Sequence, residues 1–133
     1  MAKALVQRGV SLSVLSCALI VALLMVAGLV VDGTAQMAAS QRASSAAHQV
    51  ARYAMDAAAP YMVEGQDATA PALAAAGRAA AGYPDLTFRF GLDAGSVMRV
   101  EAETTIATTF LRLVGVHDLR ASGTAQAVLR RSS

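Results

Sequence analysis

Two histidines and a pair of carboxylates are the side chains of this sequence best suited to chemistry. His48 lies on a predicted polar helix face, and His117 stands beside Asp118 in a predicted turn. A solvated side chain and a turn hydrogen bond explain them better than a catalytic base or a metal ligand. Glu101 and Glu103 are two residues apart on a predicted strand and so share a face, but no His or Cys accompanies them. A solvated strand face is the better explanation.

Motifs that carry common enzyme chemistry are absent from the sequence. It has no phosphate-binding loop, no Gly-x-Ser-x-Gly and no Cys-x-x-Cys. The single cysteine, Cys17, ends "VLSC", which faintly resembles a lipobox, but most of the apolar core follows it. It is expected to be a small apolar residue. We therefore expect no enzyme activity, no metal site and no cofactor.

A long apolar run dominates the N-terminal part of the chain. No charged residue lies between Arg8 and Asp32, and a helix of that length, about 35 Å, would cross a hydrocarbon core of about 30 Å. A secretory signal has a shorter apolar core of roughly 7–15 residues that ends at a cleavage site. The nearest candidate site, Ala38-Ala39-Ser40, lies well past the run. The run predicts a retained transmembrane helix over residues 10–31.

Charge predicts how this helix is oriented. Lys3 and Arg8 precede it and no acidic residue does, so residues 1–9 are expected to be a basic cytoplasmic stub, with the rest of the chain outside. The 9 acidic residues all follow the run and are balanced there by scattered arginines. The net charge of +2 therefore does not indicate nucleic-acid binding.

The helical pattern continues beyond the membrane as an extension over residues 32–59. Pro60 is expected to end it, and Gly28, Asp32 and Gly33 mark a predicted hinge, because glycine weakens a helix. One stripe of the extension is polar: Gln41, Arg42, Ser45, His48, Gln49, Arg52 and Asp56. The other stripe is made of small apolar residues: Ala39, Ala43, Ala46, Ala47, Val50, Ala54 and Ala57.

The pattern of residues 60–133 predicts a small α+β domain, which we call the head. A second helix, capped by Asp67 or Thr69 and stopped by Gly82 and Pro84, is expected to cover a sheet. Period-two alternation then predicts three antiparallel strands. Their inward residues are Leu86, Phe88 and Phe90 in the first strand, Met98, Val100 and Ala102 in the second, and Leu119, Ala121, Ala125, Ala127 and Leu129 in the third. The turn between the first two strands is "GLDAG".

A short helix over "TTIATTFLRLVGV" is predicted between the last two strands. Ile106, Phe110, Leu113 and Val114 would share one face of it, and Gly115 would end it. Phe88, Phe110 and Leu119 are expected to be buried.

Small residues along the apolar run favour close helix–helix contact. They include Ser13, Ser16, Ala22 and Gly28, although such residues are also common in an ordinary membrane anchor. A basic stub, an apolar helix that continues as an amphipathic one, and a small α+β head are the plan of a pilin-like subunit. Such subunits wait in the membrane and assemble by bundling their apolar helices.

Two stretches of the sequence resemble one family. "RGVSLSVLSCALIVALLMVAGLVVDG" followed by "AASQRASSAAHQVARYAMD", and later "TTFLRLVGVHDLRASGTAQA", resemble the TadE/TadG-like proteins of tight-adherence (Flp-type) pilus systems. The resemblance implies a minor pilin or pseudopilin of the cytoplasmic membrane that meets other pilins. It also implies cleavage by a prepilin peptidase between Gly9 and Val10. Members processed as pseudopilins carry a Glu about five residues after the cut, where this chain has Val14.

Three classes of protein therefore stay open. The first is a minor pilin or pilus-assembly protein, the second a permanently anchored scaffold of a pilus or secretion machine, and the third a secreted binding module. A mature N-terminus at Val10, at Met1 or Ala2, or beyond Ala35 would distinguish them.

Overall fold

A computed structural model describes residues 2–93 and 97–128, with side chains from residue 11 onward. Its first element, α1 (Ala2–Val63), is one helix that includes both the apolar run and the predicted extension. The helix passes through Gly28, Asp32 and Gly33 without a break in its assignment. The predicted hinge is therefore not seen as an interruption of the helix.

The extension of α1 is amphipathic as predicted. Each member of the predicted polar stripe is exposed, while the alanine stripe faces the head and is largely buried. Val50 is fully buried, and Ala51 and Ala58 join the same core. Small side chains on this face let the helix approach the sheet closely.

The prediction that Pro60 ends the helix was wrong, because α1 continues to Val63. Met62 packs against the core, and this contact stabilises the last turn despite the missing proline N–H. The helix ends where Gly65 adopts a positive φ of 72° and donates from its N–H to the carbonyl oxygen of Met62 at 3.1 Å. Gly65 is suited to this left-handed conformation because it has no Cβ.

The second helix, α2 (Thr69–Ala80), has the start that was expected. The carboxylate of Asp67 accepts a hydrogen bond from the backbone N–H of Thr69 at 2.9 Å, which lowers the pKa of Asp67. The expected partner was wrong, however: α2 packs mainly against α1 and only marginally against the first strand, β1 (Thr87–Asp93). It cannot cover the inner face of the sheet because α1 already does.

The sheet has three strands, β1 (Thr87–Asp93), β2 (Val97–Ala107) and β3 (Asp118–Val128). They lie in the order β1-β2-β3, and each neighbouring pair is antiparallel. The inner face carries the predicted residues, among them Met98 and Val100, which are fully buried. The outer face is charged: Arg120 lies 3.7 Å from Glu103, and Arg99 lies 3.7 Å from Asp93. The predicted "GLDAG" turn was partly wrong, because its first three residues, Gly91 to Asp93, belong to β1 and pair with β2. The rest of that turn and Leu129 lie outside the described residues.

The predicted helix between the last two strands was wrong, because its first four residues belong to a strand. Thr104–Ala107 extend β2 and pair with the first residues of β3, so only a single 3-10 turn, Leu111–Val114, remains. Thr104, Thr105 and Ile106 are β-branched, and such residues favour a strand where a partner strand is available.

The prediction that Phe88, Phe110 and Leu119 are buried was also wrong. Phe88 and Leu119 are half-buried, and Phe110 is 41% exposed. The largest fully buried side chains are Met98, Val50 and Val100.

Candidate functional site

The N-terminal half of α1 exposes its apolar side chains. From Leu12 to Val31 its large apolar residues are exposed, and no other element of the chain packs against most of them. Within the described residues, α1 is the one helix that is long and apolar enough to cross a membrane. Such a surface is stable in lipid or against other apolar helices, so this half of α1 is the first part of the candidate site.

Three of the predicted bundling residues lie on this half. Ser13, Ser16 and Ala22 are exposed, and the hydroxyl of Ser16 donates to the carbonyl oxygen of Leu12 at 2.9 Å. This bond satisfies the hydroxyl within its own helix, which suits an apolar environment. Gly9 and Val10, the predicted cleavage site, lie in the helical backbone near its beginning.

Gly28, the fourth predicted bundling residue, is covered by the head. A Cβ placed on Gly28 would lie 2.5 Å from the Cβ and 2.6 Å from the Cγ of Phe110. The glycine therefore admits the aromatic side chain against the helix backbone. At Gly28, α1 therefore contacts Phe110 of its own chain and not, as predicted, a neighbouring helix.

Asp32 is the first charged residue after the apolar run, and its side chain holds the head against α1. It is only 3% exposed. One carboxylate oxygen accepts from the backbone N–H of Thr109 at 2.8 Å, and the other from those of Phe110 at 3.0 Å and Leu111 at 2.7 Å. These N–H groups lie at the start of the 3-10 turn, where no neighbouring side chain caps them. Asp32 thus acts as a cap supplied by a distant part of the chain.

These hydrogen bonds also set the charge state of Asp32, which is the first residue beyond the predicted membrane span. The N–H of Leu111 is the largest cause that lowers the pKa of Asp32. Burial opposes the shift, and the N–H groups of Thr109 and Phe110 add to the lowering. The carboxylate is therefore ionised at neutral pH, and three N–H dipoles compensate its charge.

The segment held by Asp32 is a closed loop, which we call the docking loop (residues 109–116). Thr108 closes its base: its N–H donates to the carbonyl oxygen of His117 at 2.9 Å, and its hydroxyl donates to that of Val116. Gly115, with a φ of 90°, ends the 3-10 turn. The loop is thus fixed both at its base and by Asp32.

The residues considered first for chemistry lie apart. His48 is exposed on α1, the backbone carbonyl of His117 closes the docking loop, and Glu101 and Glu103 lie on the outer face of the sheet. Among the described residues, no three His, Cys, Asp or Glu side chains are grouped so that they could hold a metal ion.

An open groove between α1 and α2 is the other concave surface of note. Its lining includes Gln49, Tyr53, Asp56, Arg78 and Tyr83. The hydroxyl of Tyr83 donates to the side-chain oxygen of Gln49, which joins the two walls. The groove is broad and lacks convergent buried polar groups, so it does not define a ligand site.

Comparisons with protein-family models, with curated proteins and with solved structures gave no match.

The docking contact was missed by sequence reasoning, although its parts were noticed. Asp32 was identified as the end of the apolar run, and Phe110 as an apolar residue of the later segment. A lone carboxylate at the end of a long apolar run is the available signal, because a buried charge requires hydrogen-bond partners nearby.

Proposed function

We propose that this protein is a minor pilin or pseudopilin, or a pilus-assembly protein, of a tight-adherence type IV pilus. The observation that carries the proposal is the division of α1 into two halves. One half exposes apolar side chains and the other packs against a three-stranded head. The protein would wait in the bacterial cytoplasmic membrane with its N-terminus inside and its head outside.

The exposed apolar half of α1 suits both the membrane-bound subunit and the assembled filament. In the membrane its partners are lipid chains, and in a filament they are the corresponding helices of other pilins. Ser13, Ser16 and Ala22 present small side chains on this surface, which permits close helix packing. The head contributes little to this surface except at Gly28.

The contact between Asp32 and the docking loop adds support. The family resemblance depends on two separate stretches, one ending in Val31-Asp32-Gly33 and the other containing Thr109-Phe110-Leu111. In the folded chain, the carboxylate of the first binds the backbone of the second. The two stretches that carry the resemblance thus meet in one contact.

A second function is favoured by one specific observation. Val14 stands where pseudopilins of this type have a glutamate, and its apolar side chain is exposed on α1. Without that carboxylate, the usual pairing with a neighbouring subunit's N-terminus is missing. The alternative function is a permanently anchored single-pass scaffold of a pilus or secretion machine, which never enters a filament.

Proteolytic maturation tests the proposal. The chain is co-expressed with an active prepilin peptidase, and its intact mass and N-terminal sequence are measured after purification. We expect a new N-terminus at Val10. Gly9→Val should block the cut, because a branched side chain is placed at the scissile bond, while the same change in the control, Gly33→Val, should leave cleavage intact.

Other outcomes would identify the competing classes. An uncut N-terminus, at Met1 or Ala2, in the presence of active peptidase supports the anchored scaffold. An N-terminus beyond Ala35 would indicate a secreted module and would contradict both membrane-bound functions.

Orientation is tested separately with reporter fusions. A reporter active only outside the cytoplasm, placed after Ser133, should give signal, and a reporter active only in the cytoplasm should not. The reverse result would remove the pilin proposal.

A further inference from the structure

The docking loop exposes several large apolar side chains although its backbone is held in place by hydrogen bonds. Leu113 is 85% exposed, and Phe110, Val114 and Val116 are also exposed. Elsewhere in the head, exposed large apolar residues are spread over several elements, one or two at a time. Four exposed large apolar side chains in one short loop are typical of a surface that contacts a partner or a membrane.

The position of the loop identifies what covers it. Phe110 lies against Gly28, which precedes Asp32 by one helical turn, or about 6 Å along the axis of α1. The loop therefore extends past the first charged residue to the level of the exposed apolar half. Its apolar side chains continue the surface of the membrane helix.

Several backbone N–H groups of the loop are hydrogen-bonded within the fold. Asp32 accepts from its first three N–H groups, and the N–H groups of Leu113, Gly115 and Val116 donate to carbonyl oxygens of the same loop. Irregular backbone does not occur exposed to lipid within the hydrocarbon region. The backbone of the loop is therefore expected at headgroup level, from which its apolar side chains reach the acyl chains.

The loop also carries a suitable charge. Arg112 is exposed between apolar neighbours, and its long side chain can bury its methylene groups while its guanidinium reaches the phosphates of lipid headgroups. A cation at this position suits the boundary between headgroups and acyl chains.

We propose that the docking loop is a second membrane-contacting element, which seats Leu113 and Val114 in the leaflet on the side of the head. The proposal rests on α1 crossing the membrane, as argued above. α1 anchors the chain, and the loop fixes the head at one rotation about α1 and one height above the bilayer. A head oriented in this way presents the charged outer face of the sheet in a constant direction.

Fluorescence at single sites in the full chain tests this proposal. Leu113→Cys is made in a Cys17→Ser background, labelled with an environment-sensitive fluorophore and reconstituted into phosphatidylcholine vesicles. We expect blue-shifted emission that is strongly quenched by lipids with a spin label near the start of the acyl chain. Because Leu113 makes little contact with the rest of the fold, its replacement leaves folding intact, and Val114→Cys provides a second site.

Two reference sites separate this proposal from the one on which it rests. Leu23→Cys, in the apolar half of α1, should be quenched, and Thr124→Cys, about 20 Å along β3 from the loop, should not. Quenching at Leu23→Cys without quenching at Leu113→Cys overturns the loop proposal alone. A blue shift at Leu113→Cys that spin-labelled lipid does not quench indicates a protein partner and also overturns it. No quenching at Leu23→Cys would refute the membrane span, and the loop proposal with it.

Discussion

Gly123 of β3 lies directly under the backbone of Ser44 in α1. A Cβ placed on Gly123 would be 2.7 Å from the carbonyl carbon of Ala43 and would overlap the backbone of Ser44. Ala121 and Ala125, its inward neighbours on the same strand, are also buried. The helix and the sheet thus meet through small residues whose backbones lie close together, and this contact connects the sheet to α1.

The first prediction concerns this crossing point. Gly123→Ala should destabilise the head by about 1–3 kcal/mol, because the added methyl group meets the rigid backbone of α1 at Ala43 and Ser44. The matched control is Gly91→Ala, also in a strand, where an added Cβ has nothing within 4 Å. It should change stability by no more than about 0.5 kcal/mol. Thermal unfolding of the full chain in detergent measures both, and equal stabilities would contradict the close contact.

The second prediction tests where the core lies. Met98 is fully buried between sheet and helix, and Met98→Ala should cost about 2–5 kcal/mol through lost burial and a cavity. The control, Met37→Ala, removes the same side chain from a position that is 64% exposed, and its effect should be small. Chemical unfolding of the full chain in detergent checks this. A small effect at Met98 would mean that the core is not where the sheet meets α1.

Much of the fold was predictable because its signals are local. The stripes on α1 and the alternation of the strands follow from side-chain periods of 3.6 and 2, which the sequence displays directly. Both stripes and all three strands were predicted with their faces correct. Tertiary contacts then decided the details: packing of Met62 carries α1 past Pro60, and pairing with β3 lengthens β2.

The docking loop could not be predicted in the same way. Asp32 binds backbone N–H groups 77 to 79 residues further along the chain, and backbone donors leave no side-chain signature. Gly28 was interpreted as a helix-weakening or bundling residue because a sequence does not show which side chain fills the space beside a glycine. The long apolar helix itself was predictable from its length and lack of charge.

A third prediction follows from the cap that Asp32 provides. Asp32→Asn should loosen the docking loop, because the amide has one acceptor oxygen and turns a donor towards backbone donors. Hydrogen exchange of the amides of Thr109, Phe110 and Leu111 should become faster. Asp56→Asn, on the exposed polar stripe of the same helix, is the control and should leave these amides protected.

The same contact should depend on pH with a definite sign. The pKa of Asp32 is lowered in the folded chain, so its contribution to docking is complete above the unfolded pKa of about 3.9 and is lost as the pH falls through the folded value. Acidification below about pH 4 should therefore begin to weaken the protection of the three amides, and the loss should increase as the pH falls further. Asp32→Asn should lack this dependence, and a variant that keeps it would show that another group is responsible.

The fourth prediction concerns Gly28 and Phe110. Gly28→Ala places a methyl group against the Cβ and Cγ of Phe110, atoms close to the backbone that cannot move without shifting the loop. We expect faster exchange of the amides of the docking loop and greater protease sensitivity near it. Gly33→Ala, in the same helix with no atom within 4 Å of the added Cβ, is the control. It should be neutral or slightly stabilising, because alanine favours a helix.

The fifth prediction returns to Val14 and to assembly. Cleavage after Gly9 would place a positive amino group at Val10, at the end of an apolar helix, and an unpaired buried ion costs several kcal/mol. Val14 lies one helical turn away and is 64% exposed, so Val14→Glu supplies a carboxylate without a steric conflict. We expect Val14→Glu to be tolerated and to raise the amount of this protein in sheared pilus fractions. Leu15→Glu, with the same charge at a position that is 66% exposed and turned about 100° around the helix, should not. Equal effects of the two variants would mean that pairing geometry is irrelevant, and no pilus signal from either variant or from the wild type would favour the anchored scaffold.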